Sequence, residues 1–157
     1  YWDLAVKIKE HNDYSASIAC AMGKDGTLYL KDAIMGRWEY PDAKKIIVAT
    51  MKRERDTRHG IEEALHGAAF VQELMRERKV AHVAIRGIRV DKDKKTRALA
   101  WADRAAEGKV AIVRGAWNEH FIEQCILFPN GKHDDLVDSV SGGVSMISSA
   151  RRTLKFF

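Results

Sequence analysis

The chain has 157 residues, of which 46% are hydrophobic and 31% charged, a composition typical of one globular domain with a buried core. No apolar run approaches the roughly 18–20 residues of a membrane helix and no signal peptide opens the chain, so we expect no membrane partner. Lys and Arg number 27 against 22 Asp and Glu, and the net charge of +5 favours a polyanionic partner, usually one that carries phosphate.

The first part of the chain predicts an antiparallel meander. Residues 2–9 and 14–22 are expected to form strands, because β-prone and small residues dominate them and a turn-forming segment at 11–13 separates them. Asp25-Gly26 predicts a tight hairpin, since this pair suits a turn that needs positive φ. Residues 27–40 are then expected to form a third strand.

The rest of the chain alternates between helices and strands. Helices are predicted over 41–58, 67–79, 94–107, 118–126 and 133–150, and strands over 60–63, 80–85 and 110–113. Asn118 is predicted to cap its helix. Three antiparallel strands followed by this alternation indicate an α/β domain, a mixed sheet with helices packed on it.

Two further features concern the chain as a whole. Cys20 and Cys125 lie in apolar stretches without CxxC spacing, which predicts reduced core residues in a cytosolic compartment rather than zinc ligands. The chain has no initiator Met and begins almost at Asp3, so we expect residues 1–157 to be a single domain excised from a longer protein.

Acidic residues concentrate at three separated places in this basic chain. Asp3 lies in an apolar opening segment, Glu62-Glu63 end a short apolar segment, and Asp134, Asp135 and Asp138 begin the last predicted helix. Mg²⁺ and Mn²⁺ prefer oxygen ligands, and two such ions about 3.5–4 Å apart activate water and stabilise a leaving oxygen in phosphodiester hydrolysis. The pattern therefore indicates a divalent-metal site built from distant segments.

Each acidic place also has a simpler interpretation. Asp3 would fit a strand edge where it pairs with a lysine, and residues 62–63 would fit a helix cap or a solvated position. Asp134 and Asp135 would be stabilised by the positive end of a helix. Asp138 is harder to explain in this way, since it lies within one helical turn of both, where like charges repel unless a cation offsets them.

Several segments resemble the nuclease domain of tailed-phage terminase large subunits, over residues 2 to about 143. The most specific match is the closing motif at 128–138. The matching segments are Trp2-Asp3-Leu4-Ala5, Asn12-Asp13-Tyr14-Ser15, Asp93-Lys94-Lys95-Thr96-Arg97-Ala98, Gly115-Ala116-Trp117-Asn118 and Phe128-Pro129-Asn130-Gly131-Lys132-His133-Asp134-Asp135-Leu136-Val137-Asp138. The resemblance implies an RNase H-like fold, related to RuvC-type resolvases, and an endonuclease that cuts double-stranded viral DNA during genome packaging.

The resemblance also implies which acids bind two Mg²⁺ or Mn²⁺ ions. They are Asp3, Glu63 and Asp134, with Asp135 as the neighbouring acid. One ion, between Asp3 and the last-helix acid, is expected to activate water, and the other, between Asp3 and Glu63, to stabilise the departing 3′ oxygen. Asp138 is included among the metal ligands, since the ion at the last motif is held by Asp134, Asp135 or Asp138. Glu62 remains an alternative to Glu63, and His133 is the other alternative ligand.

By the same resemblance, the partners are an ATPase motor domain, a portal and a small terminase subunit in the host cell cytoplasm. The chain contains no G-x-x-x-x-G-K-[ST] phosphate loop, so the motor is expected on another part of the protein. A junction resolvase or a ribonuclease with the same acids, and a DNA-binding module without catalysis, remain alternative functions.

DNA contact is predicted for basic residues that flank the acids. Phosphate contacts of this type are salt-sensitive and tolerant of sequence. A solvated helix start is the alternative interpretation of residues 92–97, although basic charge at a helix N-terminus opposes the helix dipole. The candidates are Lys92, Lys94, Lys95, Arg97 and Lys132, followed by Arg86 and Arg89.

Overall fold

The computed structural model describes residues 1–5, 14–63, 67–91 and 93–153, with the side chains of Gly67 and of 150–153 left out. The end of the predicted strand 2–9 and the predicted DNA contact Lys92 lie outside the described residues. The strands within that part are β1 (Trp2–Asp3), β2 (Ser15–Met22), β3 (Leu28–Gly36), β4 (His59–Glu62), β5 (Ile85–Ile88) and β6 (Val110–Ile112). The helices there are α1 (Tyr40–Arg53), α2 (Gly67–Arg76), α3 (Lys94–Ala106), α4 (Asn118–Leu127) and α5 (Asp135–Thr153).

The strands form one mixed sheet in the order β5-β4-β1-β2-β3-β6. Strands β1, β2 and β3 pair antiparallel, whereas β4 runs parallel to β1, β5 parallel to β4, and β6 parallel to β3. This arrangement confirms the predicted mixed sheet, three antiparallel strands followed by parallel ones. It also makes β1 and β4 neighbours in space, although 55 residues lie between Asp3 at the end of β1 and His59 at the start of β4 in the sequence.

Each face of the sheet carries its own hydrophobic core. On one face Trp2 and Ile61 pack with Ile47 of α1 and Leu74 of α2. On the other face the buried residues come from β2, β3 and the helices α3, α4 and α5, among them Ile18, Leu30, Trp101, Phe121, Leu136 and Val140. Asp3 and Glu62 come directly after Trp2 and Ile61 in their strands. Because successive strand residues point to opposite faces, Asp3 and Glu62 lie on the other face, the side of α5.

The predicted strand 80–85 is wrong. Residues Arg78–Val80 form a 3₁₀ turn, and the strand begins only at Ile85. Val80 and Val83 are both buried, and the amide of Val83 donates to the carbonyl of Val80 at 2.9 Å. Two apolar residues three apart fit a turn, in which both bury on one side, better than a strand, in which they would point to opposite faces.

Several boundaries also differ from the prediction. The third strand ends at Gly36 and a helix starts at Tyr40, where Pro41 occupies the first turn as prolines often do. That helix ends at Arg53 rather than near residue 58. Asn118 does not cap its helix: its side chain accepts from the amide of Gly115 and donates to the carbonyl of Val113, fixing the preceding loop.

The remaining general expectations concern cysteines and membranes. Cys20 and Cys125 are free thiols, half-buried against the second core. Across the described ranges, no helix combines the length and the hydropathy that crossing a bilayer requires.

Candidate active site

Strands β1 and β4 place two carboxylates side by side. Trp2 pairs with Ile61 in the parallel register, so the residues that follow, Asp3 and Glu62, are neighbours on the same face. Asp3 is half-buried, and Glu62 accepts a hydrogen bond from the hydroxyl of Tyr1 at 3.1 Å. Tyr1 belongs to this face because it lies two residues before Asp3, a signal that the sequence contains and that our prediction missed.

Helix α5 brings a second group of acids to the same face. It passes so close to β1 that a Cβ on Gly142 would overlap the ring of Tyr1, so glycine is needed at this crossing. Its first turn carries Asp135 and Asp138, and the Asp138 side chain is only 4% exposed. Asp134 directly precedes the helix, and its carbonyl accepts from the amide of Asp138 at 2.9 Å.

The start of α5 is fixed by a neighbouring helix. The amide of Leu136 donates to the side-chain oxygen of Gln124, a buried residue of α4, at 2.8 Å. This bond satisfies one of the amides that a helix N-terminus leaves without an internal partner. The helix begins at Asp135, whereas the sequence predicted a start at His133. The bond to Gln124 gives Asp135 and Asp138 a defined position relative to β1.

Two cations of α3 lie among these acids. Lys94 Nζ lies 2.7 Å from Asp134 Oδ1 and 3.2 Å from Asp138 Oδ2. Arg97 Nη2 lies 3.1 Å from Asp138 Oδ1, and its Nη1 lies 3.8 Å from Glu62 Oε2. The predicted DNA contacts Lys94 and Arg97 thus point towards the carboxylates, and the two groups of acids are connected through Arg97.

The electrostatics of Asp3 link both groups of acids. Burial, followed by the negative charges of Glu62, Asp138 and Asp135, raises the pKa of Asp3 to about 7, and Lys94 opposes this shift. Burial also raises the pKa of Asp135 and of Asp138. Four carboxylates from β1, β4 and α5 therefore interact strongly, and without a further cation one of them is partly protonated near neutral pH.

The donor chemistry of this group suits a hard divalent cation. Every acid supplies carboxylate oxygens, and Asp135 Oδ2 is buried without a hydrogen-bond partner among the described residues. In that same part of the chain, no three His, Cys, Asp or Glu residues are spaced as an assembled metal site requires. The carboxylate oxygens suit an ion, and closing those of Asp134 and Asp138 around one requires their ion pairs with Lys94 to change.

The raised pKa of Asp3 predicts a pH-dependent stability of the metal-free protein. The folded state holds this proton up to about pH 7, whereas the unfolded state releases it near 3.8. Over that interval the folded state binds more protons, so the free energy of unfolding falls as pH rises, by about 4 kcal/mol for this group. Urea unfolding of wild type and Asp3→Asn in EDTA from pH 4 to 8 measures the difference, and parallel pH curves for the two proteins would contradict the expectation.

Glu62 and Glu63 take different positions. Glu63 follows the end of β4, and its Oε2 lies 3.3 Å from Nε of Arg89. Its carboxylate packs against Gly87 of β5, where a Cβ would overlap it. Glu62, given above as the alternative, is the member of the pair that the structure places with Asp3 and Arg97.

The other predicted site residues lie around this group. His133 Nδ1 is 3.9 Å from Asp135 Oδ2, and its ring packs edge-on against Tyr14 with centroids 4.9 Å apart. Arg37 lies over the same Tyr14 ring at 4.3 Å, a contact that the sequence did not suggest. Lys95 and Lys132 are exposed.

Comparison with known proteins agrees with the observed fold. A family model described as a terminase RNaseH-like domain matches residues 1–146, which confirms the RNase H-like fold and supports, for the family, a nuclease role in genome packaging. No curated protein matches the chain. Since the match covers nearly the whole sequence, the chain belongs to the terminase RNaseH-like domain family.

Proposed function

We propose that this domain is a metal-dependent endonuclease that cuts double-stranded viral DNA during genome packaging. One observation supports the proposal above all: carboxylates from β1, β4 and the start of α5 converge on one face of the sheet. Such convergence of acids from distant segments costs stability unless a cation offsets it. The acids are Asp3, Glu62, Asp134, Asp135 and Asp138.

In this proposal Asp3 is the shared ligand, because its charge interacts with both Glu62 and the acids of α5. Two Mg²⁺ or Mn²⁺ ions, when bound, would supply a water of lowered pKa and charge stabilisation for the leaving 3′ oxygen. Glu62 is oriented by the hydroxyl of Tyr1, and Asp138 is held by its burial in the first turn of α5. The protein thus contributes ligands on rigid elements of the fold.

DNA contact in this proposal comes from exposed basic residues near the acids. Lys95 lies on the first turn of α3 and Lys132 precedes α5, whereas Arg86 and Arg89 lie on and beside β5. Such contacts give salt-sensitive binding with little sequence preference. An ATPase motor domain of the same longer protein, a portal and a small terminase subunit would be the packaging partners, in the host cell cytoplasm.

The experiment that tests the function is a cleavage assay with defined substrates. We expect nicking and linearisation of supercoiled plasmid in Mn²⁺ or Mg²⁺, no cleavage in EDTA, and loss of cleavage at high salt. A linear duplex, a four-way junction and an RNA–DNA hybrid are compared at equal concentration. Preference for the junction or for the hybrid would favour a resolvase or a ribonuclease, and DNA binding without divalent-dependent cleavage would contradict the nuclease assignment.

A further inference from the structure

The ammonium group of Lys94 lies between two carboxylates of the candidate metal centre. Its Nζ lies 2.7 Å from Asp134 Oδ1 and 3.2 Å from Asp138 Oδ2, two residues that are one helical turn apart. Both distances are those of direct ion pairs, and no water fits between the partners. The ammonium therefore occupies the space in which a single cation would contact both carboxylates.

The position of Lys94 in its own helix does not explain this arrangement. Lys94 is the first residue of α3, where a positive charge opposes the helix dipole. Asp93, just before it, already caps the helix by accepting from the amide of Thr96 at 3.0 Å. Burial would lower the pKa of Lys94, but its bonds to Asp134 and Asp138 outweigh burial and raise it. The acids, not the helix, hold this side chain in place.

Arg97 differs from Lys94 in how firmly it is held. The Arg97 side chain is 13% exposed, whereas that of Lys94 is 54% exposed. Arg97 bonds to Asp138 from inside the domain, and moving it would disturb the packing around it. Lys94 reaches the acids from the surface, so it can turn into solvent without any change in the core.

We propose that Lys94 is an exchangeable counterion of the metal centre, which neutralises Asp134 and Asp138 in the metal-free protein and must leave before a divalent ion contacts both. This inference rests on the metal site of the proposed function. Lys94 and the ion then exclude one another, and Lys94 lowers the apparent affinity for the metal. Once displaced, its charge lies at the mouth of the site.

The first test compares Mn²⁺ affinity in the absence of DNA. Isothermal titration is carried out on wild type, Lys94→Gln and the matched control Lys95→Gln, which removes the same charge from the next, exposed position of α3. We expect Lys94→Gln to bind Mn²⁺ about fivefold tighter than wild type, and Lys95→Gln to change affinity by less than twofold, since an exposed charge one position away is largely screened. Equal affinities of the two variants would overturn the proposal.

The second test follows the amine itself, because removing a nearby charge could tighten binding without any displacement. Lys94 and Lys95 are labelled in wild type by a brief pulse of amine-reactive reagent, with and without Mn²⁺, and quantified by mass spectrometry. Labelling of Lys94 should rise severalfold with Mn²⁺ while that of Lys95 stays constant. Unchanged labelling of Lys94 in protein that binds Mn²⁺ would overturn the exchange alone, whereas absence of Mn²⁺ binding in wild type and Lys94→Gln would overturn the metal centre as well.

Discussion

Asp3→Asn is expected to reduce Mn²⁺-dependent cleavage of plasmid by roughly a hundredfold or more, equivalent to about 3 kcal/mol of the activation free energy. Asp3 is the carboxylate whose charge interacts with both Glu62 and the acids of α5, so its loss affects both halves of the proposed centre. The amide is nearly isosteric, so it preserves the packing beside Trp2. Initial rates of plasmid nicking at saturating Mn²⁺ measure the effect.

The same substitution should leave the domain folded and make it more stable without metal. At neutral pH burial and the neighbouring carboxylates disfavour the ionised form of Asp3, and the neutral amide avoids both penalties. A matched control is Asp103→Asn, which removes one exposed carboxylate near the opposite end of α3 from Lys94. A more stable but inactive Asp3→Asn protein, beside an unaffected Asp103→Asn, is the expected pair. Wild-type cleavage by Asp3→Asn would contradict the assignment of Asp3 as a metal ligand.

Local sequence patterns predicted most of the sheet because they report burial of one or both faces. The apolar stretch around Trp2 and the hairpin at Asp25-Gly26 correspond to β1, β2 and β3, and Gly26 does have a φ of 88°. The segment 80–85 misled the prediction because its β-branched residues are buried through a turn. Propensity alone does not distinguish these two forms of burial, which depend on the rest of the core.

The candidate site was predictable in its acids but not in its cations. Alternation along β1 and β4 places Asp3 and Glu62 on the face opposite Trp2 and Ile61, and applying this rule to the sequence would have favoured Glu62 over Glu63. The orientation of Lys94 and Arg97 towards the acids was not predictable in this way. Their orientation follows from the packing of α3 against α5, a long-range contact that one sequence does not reveal.

Glu62→Gln and Glu63→Gln should separate the two neighbouring glutamates by their effects on cleavage. We expect Glu62→Gln to lose roughly a hundredfold in Mn²⁺-dependent rate, because it removes the charge of a proposed ligand beside Asp3 while keeping an oxygen that accepts from Tyr1. Glu63→Gln breaks a pair with Arg89, whose side chain is 91% exposed, and such pairs contribute little to stability. Because Glu63 pairs with Arg89 and not with the acids around Asp3, the cleavage rate of Glu63→Gln should stay within about threefold of wild type.

This comparison also tests whether the arrangement of the two glutamates in the structure persists in the active protein. Glu63 directly follows β4, and its carboxylate contacts Gly87 and Arg89. For this carboxylate to reach Asp3 when metal and DNA bind, both contacts would have to change. A large loss in Glu63→Gln with a small loss in Glu62→Gln would mean that such a change occurs. Similar losses in both would mean that the two carboxylates act together. A loss confined to Glu62→Gln would mean that the sheet alone, through the register of Trp2 with Ile61, places the second ligand beside the first.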